Sequence, residues 1–181
     1  MTKMLGASHF PLYFVTLKPG AAMIRHCLTA SLLSFVLAST GHAACLAPEN
    51  QKQLQADVIA DINANRAAQG LGKLVLSAKL DRAAQGLTCD NANSHSFSHV
   101  SANGATLGDR VRAVGYRFTL VAENTGRGFA EAASAVTFWM NSPDHRHNIL
   151  TPGFRDIGVG IAVSAAPENR LRWVTDFGTP R

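Results

Sequence analysis

A chain of 181 residues, 46% hydrophobic and 16% charged, has room for one globular domain with an appendage and is too apolar to stay disordered. Its formal charge of +5 would suit a nucleic-acid partner, but Lys3, Lys18 and Arg25 precede position 44 and no acidic residue does, so the remainder carries only +2. The remaining basic residues are scattered and no stacking aromatics run among them, which excludes a nucleic-acid surface.

In chain order, residues 1–22 fit no export signal and read as an over-long N-terminal extension. The stretch that follows, "MIRHCLTASLLSFVLASTGHAAC", starts at Met23, carries Arg25 and His26, and runs apolar from Cys27 to Ala38. Gly41 and Ala43 then stand at the small-residue positions of a cleavage site. Residues 23–43 therefore read as a secretory signal peptide, and the chain is expected to be secreted or periplasmic. The apolar run falls short of the roughly 20 residues that span a bilayer, so no stable transmembrane anchor is expected. His42 stands where a lipidation motif needs leucine, which argues against a lipid on Cys45. Once Cys27 leaves with the signal, Cys45 and Cys89 remain as an even pair, and in an exported chain they are expected to form one disulfide.

One domain fills residues 50–181. From Gln51 to Ala68, Leu54, Val58, Ile59 and Ile62 recur at helical spacing until "QGLG" stops the run. Ser77 caps a second helix that turns Leu80, Ala84 and Leu87 inward and fades near Cys89. After a polar loop, Thr106 and Asp109 form a capping box for a short third helix, Leu107 to Val114, closed by Gly115. A fourth helix from Phe129 to Asn141 buries Phe129, Ala132, Val136 and Trp139 or Met140, and Pro143 ends it. The period then changes. "IGVGIAVS" and "LRWVTDFG" alternate as an antiparallel pair, and "FTLVAEN" supplies a third strand. Gly158 and Gly160 mark a face that a helix covers closely, since larger residues would hold the layers apart. A small, mainly antiparallel central sheet covered on both faces gives a three-layer α/β/α sandwich.

Three polar clusters interrupt this apolar packing: "HSFSH" (95–99), "AENTG" (122–126) and "NSPDHRHN" (141–148). Glu123 closes an apolar stretch, so it is expected to be partly buried, and a buried carboxylate needs a partner. Histidines of the other two clusters are candidates. Two imidazoles and a carboxylate suit a divalent metal such as zinc, or equally a hydrogen-bonded scaffold that ties three loops together. There is no "HExxH" and no "CxxC" to decide between them. Ser142, His145 and Glu123 are the residue types of a serine triad, yet Ser142 lies outside any "GxSxG" elbow, and no catalytic residue is assigned.

"INANRAAQGLGKLVLSAKLDRAA", "FSHVSANGATLGDRVRAVGY", "AENTGRG", "WMNSPDHRHNIL" and "DIGVGIAV…WVTDFG" stand in an order and spacing that resembles the bacterial branch of the CAP superfamily, also called the SCP domain. That superfamily groups cysteine-rich secretory proteins, antigen 5 and pathogenesis-related protein 1, and the resemblance covers about residues 52–178. It implies the same sandwich, with a cleft at two histidines and two glutamates that in some members holds zinc. Carried over residue by residue, the histidines fall on His99 and His145 and the first glutamate on Glu123. The second glutamate falls on Ser142, so the tetrad lacks one carboxylate. His147 matches a variable position and reads as a surface residue, and Glu131 does not match the missing position. With His99 and His145 as candidate zinc ligands, the resemblance implies an exported, non-enzymatic binding domain for a lipid, small molecule or envelope component. A metal-assisted hydrolase and a purely structural envelope protein are the alternatives.

Overall fold

The computed structural model describes residues 45–164 and 170–181; the expected extension and signal peptide lie outside the described residues. The elements are α1 (Gln51–Ala67), β1 (Val75–Leu76), α2 (Ala78–Asn93), α3 (Leu107–Ala113), β2 (Phe118–Arg127), α4 (Ala132–Asn141), α5 (Pro143–Leu150), β3 (Asp156–Val163) and β4 (Leu171–Pro180). The strands form one sheet in the order β1-β3-β4-β2. β4 pairs antiparallel with both β2 and β3, while the two-residue β1 adds in parallel beside β3. The α/β/α sandwich stands, and its sheet is mainly antiparallel, made mixed only by the short parallel β1–β3 pair.

Strand alternation assigns the faces. Ile157, Val159 and Ile161 of β3 join Trp173 and Phe177 of β4 on one side. There they meet Leu54, Val58 and Ile62 of α1, Val136 and Trp139 of α4, and Ile149 of α5 in the main core. The other side, with Gly158, Gly160 and Val174, lies under α2. A Cβ on Gly158 would sit 2.1 Å from the carbonyl carbon of Leu80, and one on Gly160 would sit 2.5 Å from that of Ala84. The glycines are there because helix backbone occupies the space a side chain would need, as their sequence positions suggest.

Side chains cap part of the sheet's edges on both sides. Beyond β1, Val159 N–H donates to Asp81 Oδ1 (3.2 Å), and Gln55 Nε2 donates to Val159 O (2.6 Å). Gln85 both accepts from Ile161 N–H and donates to Ile161 O, each at 3.0 Å. On the opposite edge, Asn148 Nδ2 donates to Glu123 O (3.2 Å) and Trp139 Nε1 to Thr125 O (2.8 Å). Arg66 extends the α1 stripe by one more turn and is fully buried. It donates to the carbonyls of Gly72 (2.9 Å), Ile149 (2.7 Å), Thr151 (3.0 Å) and Phe154 (3.3 Å), binding α1 to the end of α5.

Several boundaries differ from the sequence expectation. α2 continues past Cys89 to Asn93, and α4 begins only at Ala132, so Phe129 reaches the core from the preceding loop. Of Trp139 and Met140, it is Trp139 that is fully buried. Pro143 does more than end α4: it is the first residue of α5, a fifth helix. A proline at that position lacks only an N–H that would have no helical partner, and it forces the residue before it out of the helical region. Ser142 accordingly has φ −99° and ψ 123°. The capping box at Thr106 and Asp109 is complete, and Gly115 takes φ +75° after α3. Cys45 and Cys89 are bonded, with Cα atoms 5.1 Å apart. No helix among the described residues is long and apolar enough to cross a membrane.

Candidate functional site

The segment that carries His99 leaves the end of α2 and is gripped by one buried side chain of that helix. Asn91 Oδ1 accepts from Ser98 N–H (3.1 Å) and from Ser96 Oγ (2.7 Å), and its Nδ2 donates to Ser98 O (2.9 Å). His95 takes φ +54° at the bend, and its Nδ1 lies 3.3 Å from Ser164 Oγ. So held, His99 meets Glu123: Nδ1 stands 2.8 Å from Oε1.

Glu123 lies in β2 with its side chain only 2% exposed, while that of His99 is 56% exposed. Its second oxygen receives the guanidinium of Arg110 from α3, a buried ion pair. Arg110 also donates from Nη1 to His99 O (3.0 Å) and to Ala105 O (3.1 Å). One arginine thus ties α3, the His99 segment and β2 together, and the carboxylate facing the histidine has both oxygens engaged. The sequence reading missed Arg110. Its one available signal was an arginine one position before the apolar Val111 on a capped helix.

His145 comes from α5, which is fixed to β2 from below. Asn124 Nδ2 donates to His145 O (3.0 Å), and Asn148 Nδ2 donates to Asn124 Oδ1 (2.9 Å). The His145 ring is half-buried beside Phe138 (centroids 5.7 Å apart), and Phe138 packs on Phe129 at 5.1 Å. Burial foremost, then the charge of His99, holds the His145 imidazole below its ordinary pKa, with Asp144 opposing. Its Nδ1 is buried, and no described group bonds to it. The Arg127 guanidinium lies 5.3 Å from the ring centre of Phe97. Ser142 sits at the α4–α5 junction without a side-chain capping bond, His147 is exposed, and Glu131 stands at the N-cap of α4.

The sequence pattern of the cysteine-rich secretory protein (CAP) family matches residues 59–177. The chain belongs to the CAP family. Over 120 residues it is 32% identical to the uncharacterized protein YkwD of Bacillus subtilis (strain 168), covering 66% of this chain and 47% of YkwD. An extracellular SCP-domain protein from Bacillus anthracis superposes with a TM-score of 0.61 at 27% identity, over 76% of this chain and 45% of that one. An outer surface protein of Borrelia burgdorferi superposes with a TM-score of 0.67 at 19% identity, over 76% of this chain and all of that one, a likeness of fold. The chain thus spans about half the length of YkwD.

Within the CAP domain, three of the four positions that the resemblance implied carry their expected residue types: Glu123 of β2 holds His99 directly, and His145 of α5 lies close enough to feel the charge of His99. The donor set falls short of a zinc shell. Zinc takes three protein ligands at a catalytic site and four at a structural one. Here Glu123 is occupied by His99 and Arg110, Ser142 offers no carboxylate, and two imidazoles remain. Among the described residues no group of three or more His, Cys, Asp or Glu side chains is placed to hold a metal ion. A separate groove of about 950 Å³, lined in part by Gly86, Ala105 and Val114, runs between α2 and α3 and reaches Arg110 but neither histidine.

Proposed function

We propose that this CAP domain is an exported, non-enzymatic binding domain whose ligand, a lipid, small molecule or envelope component, enters the cleft of His99, Glu123 and His145. The observation that carries this reading is the division of labour at Glu123. Its two oxygens are committed to His99 and Arg110, so it braces the site, while the exposed His99 ring, Phe138 and the half-buried His145 form the contacting surface. A buried carboxylate paired in this way is a poor general base, because taking up a proton would neutralise it and leave the buried Arg110 cation unpaired. A divalent metal enters only as a weak guest of the two imidazoles.

The test is an NMR titration of the purified mature domain with fatty acids and with envelope fragments, read residue by residue. Shifts centred on His99, Phe138 and His145 are expected. Shifts confined to Gly86 and Val114 would move the site to the groove beside α2, and turnover of an added ester or peptide would replace binding by hydrolysis.

A further inference from the structure

Behind Glu123 lies a second carboxyl group that the cleft does not expose. Asp176 of β4 is the register partner of Glu123 across the β2–β4 ladder, so both side chains rise from the same face of the sheet. Asp176 is fully buried, and no described N–H or O–H donates to either of its oxygens. Its neighbour on β3 is Gly158, which has no side chain to offer. From α2, the nearby Asp81 is already bound to Val159 N–H and to Gln55. The charged groups that act on Asp176 are therefore Glu123 from β2 and Arg110 from α3.

Two buried carboxyl groups thus share one guanidinium, and Arg110 is directed at Glu123. Ionising both would leave one buried negative charge without a partner, which a carboxyl avoids by keeping its proton. A protonated Asp176 is then a donor beside an acceptor: Glu123 already receives Arg110 and His99, and a carboxylate has lone pairs to spare for a third bond. Burial foremost, then the adjacent Glu123, raises the Asp176 pKa well above the usual carboxylate range, with Arg110 opposing. The proton stays on Asp176, the carboxyl remote from the cation.

We propose that Asp176 is a positioning residue of the cleft: its carboxyl group donates a hydrogen bond to Glu123 and so fixes the carboxylate that meets His99. The role is that of an outer-shell partner, setting the ring orientation and tautomer of a histidine it does not touch. The proposal rests on the cleft reading for its purpose alone. Neither measurement below needs a ligand, so failure to find one leaves both standing.

The first measurement is infrared spectroscopy of the folded domain at neutral pH, where the carbonyl stretch of a protonated carboxyl is expected in the wild type and lost in Asp176→Asn. The second is ¹⁵N NMR of the His99 ring in neutral form. Asparagine keeps an N–H donor without the charge, so Asp176→Asn should retain the Nδ1–H tautomer, whereas Asp176→Ala should weaken that preference by about tenfold. Should the alanine variant fail to fold, Asp176→Leu takes its place. A wild type without the protonated-carboxyl band overturns the proposal. So does an asparagine variant that behaves like alanine, which would mean an ionised Asp176, or an alanine variant whose His99 ring is unchanged.

Discussion

Adding one methyl group at Gly158 tests the layer packing from which the site is built. In Gly158→Ala the new Cβ falls 2.1 Å from the carbonyl carbon of Leu80 and 2.3 Å from the amide nitrogen of Asp81, where ordinary contact begins at 3.4 Å. The obstacle is helix backbone, so no side-chain rotation relieves it. Either α2 lifts from the sheet or β3 bends, and both disturb the packing of Leu80, Ala84 and Leu87. Overpacking usually costs about 1–3 kcal/mol, and a clash with backbone belongs at the upper end, so about 3 kcal/mol is expected. For a domain of this size that corresponds to a fall in Tm of about 10 °C. Gly86→Ala is the matched control: it lies on α2 with no atom within 4 Å of its added Cβ. There the better helix former should stabilise by about 0.5–1 kcal/mol. Urea denaturation followed by circular dichroism measures both. Because α2 also carries Asn91, which grips the His99 segment, Gly158→Ala should in addition shift the His99 ring resonances while Gly86→Ala leaves them in place. A Gly158→Ala domain within about 1 kcal/mol of wild type would refute the backbone-contact argument.

Arg66→Met removes the donors from four carbonyls, those of Ile149 and Phe154 in buried bonds, and is expected to destabilise by about 4 kcal/mol, read from the same urea curves, with α5 and His145 most affected. Replacing Cys45 and Cys89 by serine opens a loop of 44 residues and should cost about 4 kcal/mol in the chain-entropy model, measured against the oxidised wild type. Ser142→Glu supplies the carboxylate that the proposed site lacks, so calorimetry at fixed pH should find zinc binding at least about tenfold tighter, while His147→Ala, on the exposed face of α5, leaves it unchanged. Asp176→Asn should be more stable than wild type near neutral pH. A carboxyl whose folded pKa is raised contributes most below its unfolded value and loses that contribution as pH rises, so the gap should widen from about pH 4 upward and vanish in acid.

What the residue order alone determines here is whatever depends on neighbours a few positions apart. The α1 stripe, the Ser77 cap on α2, the Thr106–Asp109 box and the alternation of β3 and β4 are all local periodicities or local hydrogen bonds, and each forms where its spacing indicates. Gly158 and Gly160 are legible for the same reason, because a pair of missing side chains on one strand face implies a close layer above it. Local signals fail where they carry two meanings or too little length. Pro143 ends one helix and begins another, and the two residues of β1 are too few to show a period. The centre of the site belongs to the tertiary structure. Glu123 was readable as a carboxylate in need of a partner, and a histidine was the partner expected. That Arg110 is the buried cation, and that Asp176 stands across the ladder from Glu123 with no donor of its own, follows only once β2 and β4 are in register and α3 is laid against them. Strand alternation says which face a side chain takes. It does not say which charge, tens of residues away along the chain, will lie beside it there, and in a medium of low dielectric that neighbour decides where the proton sits.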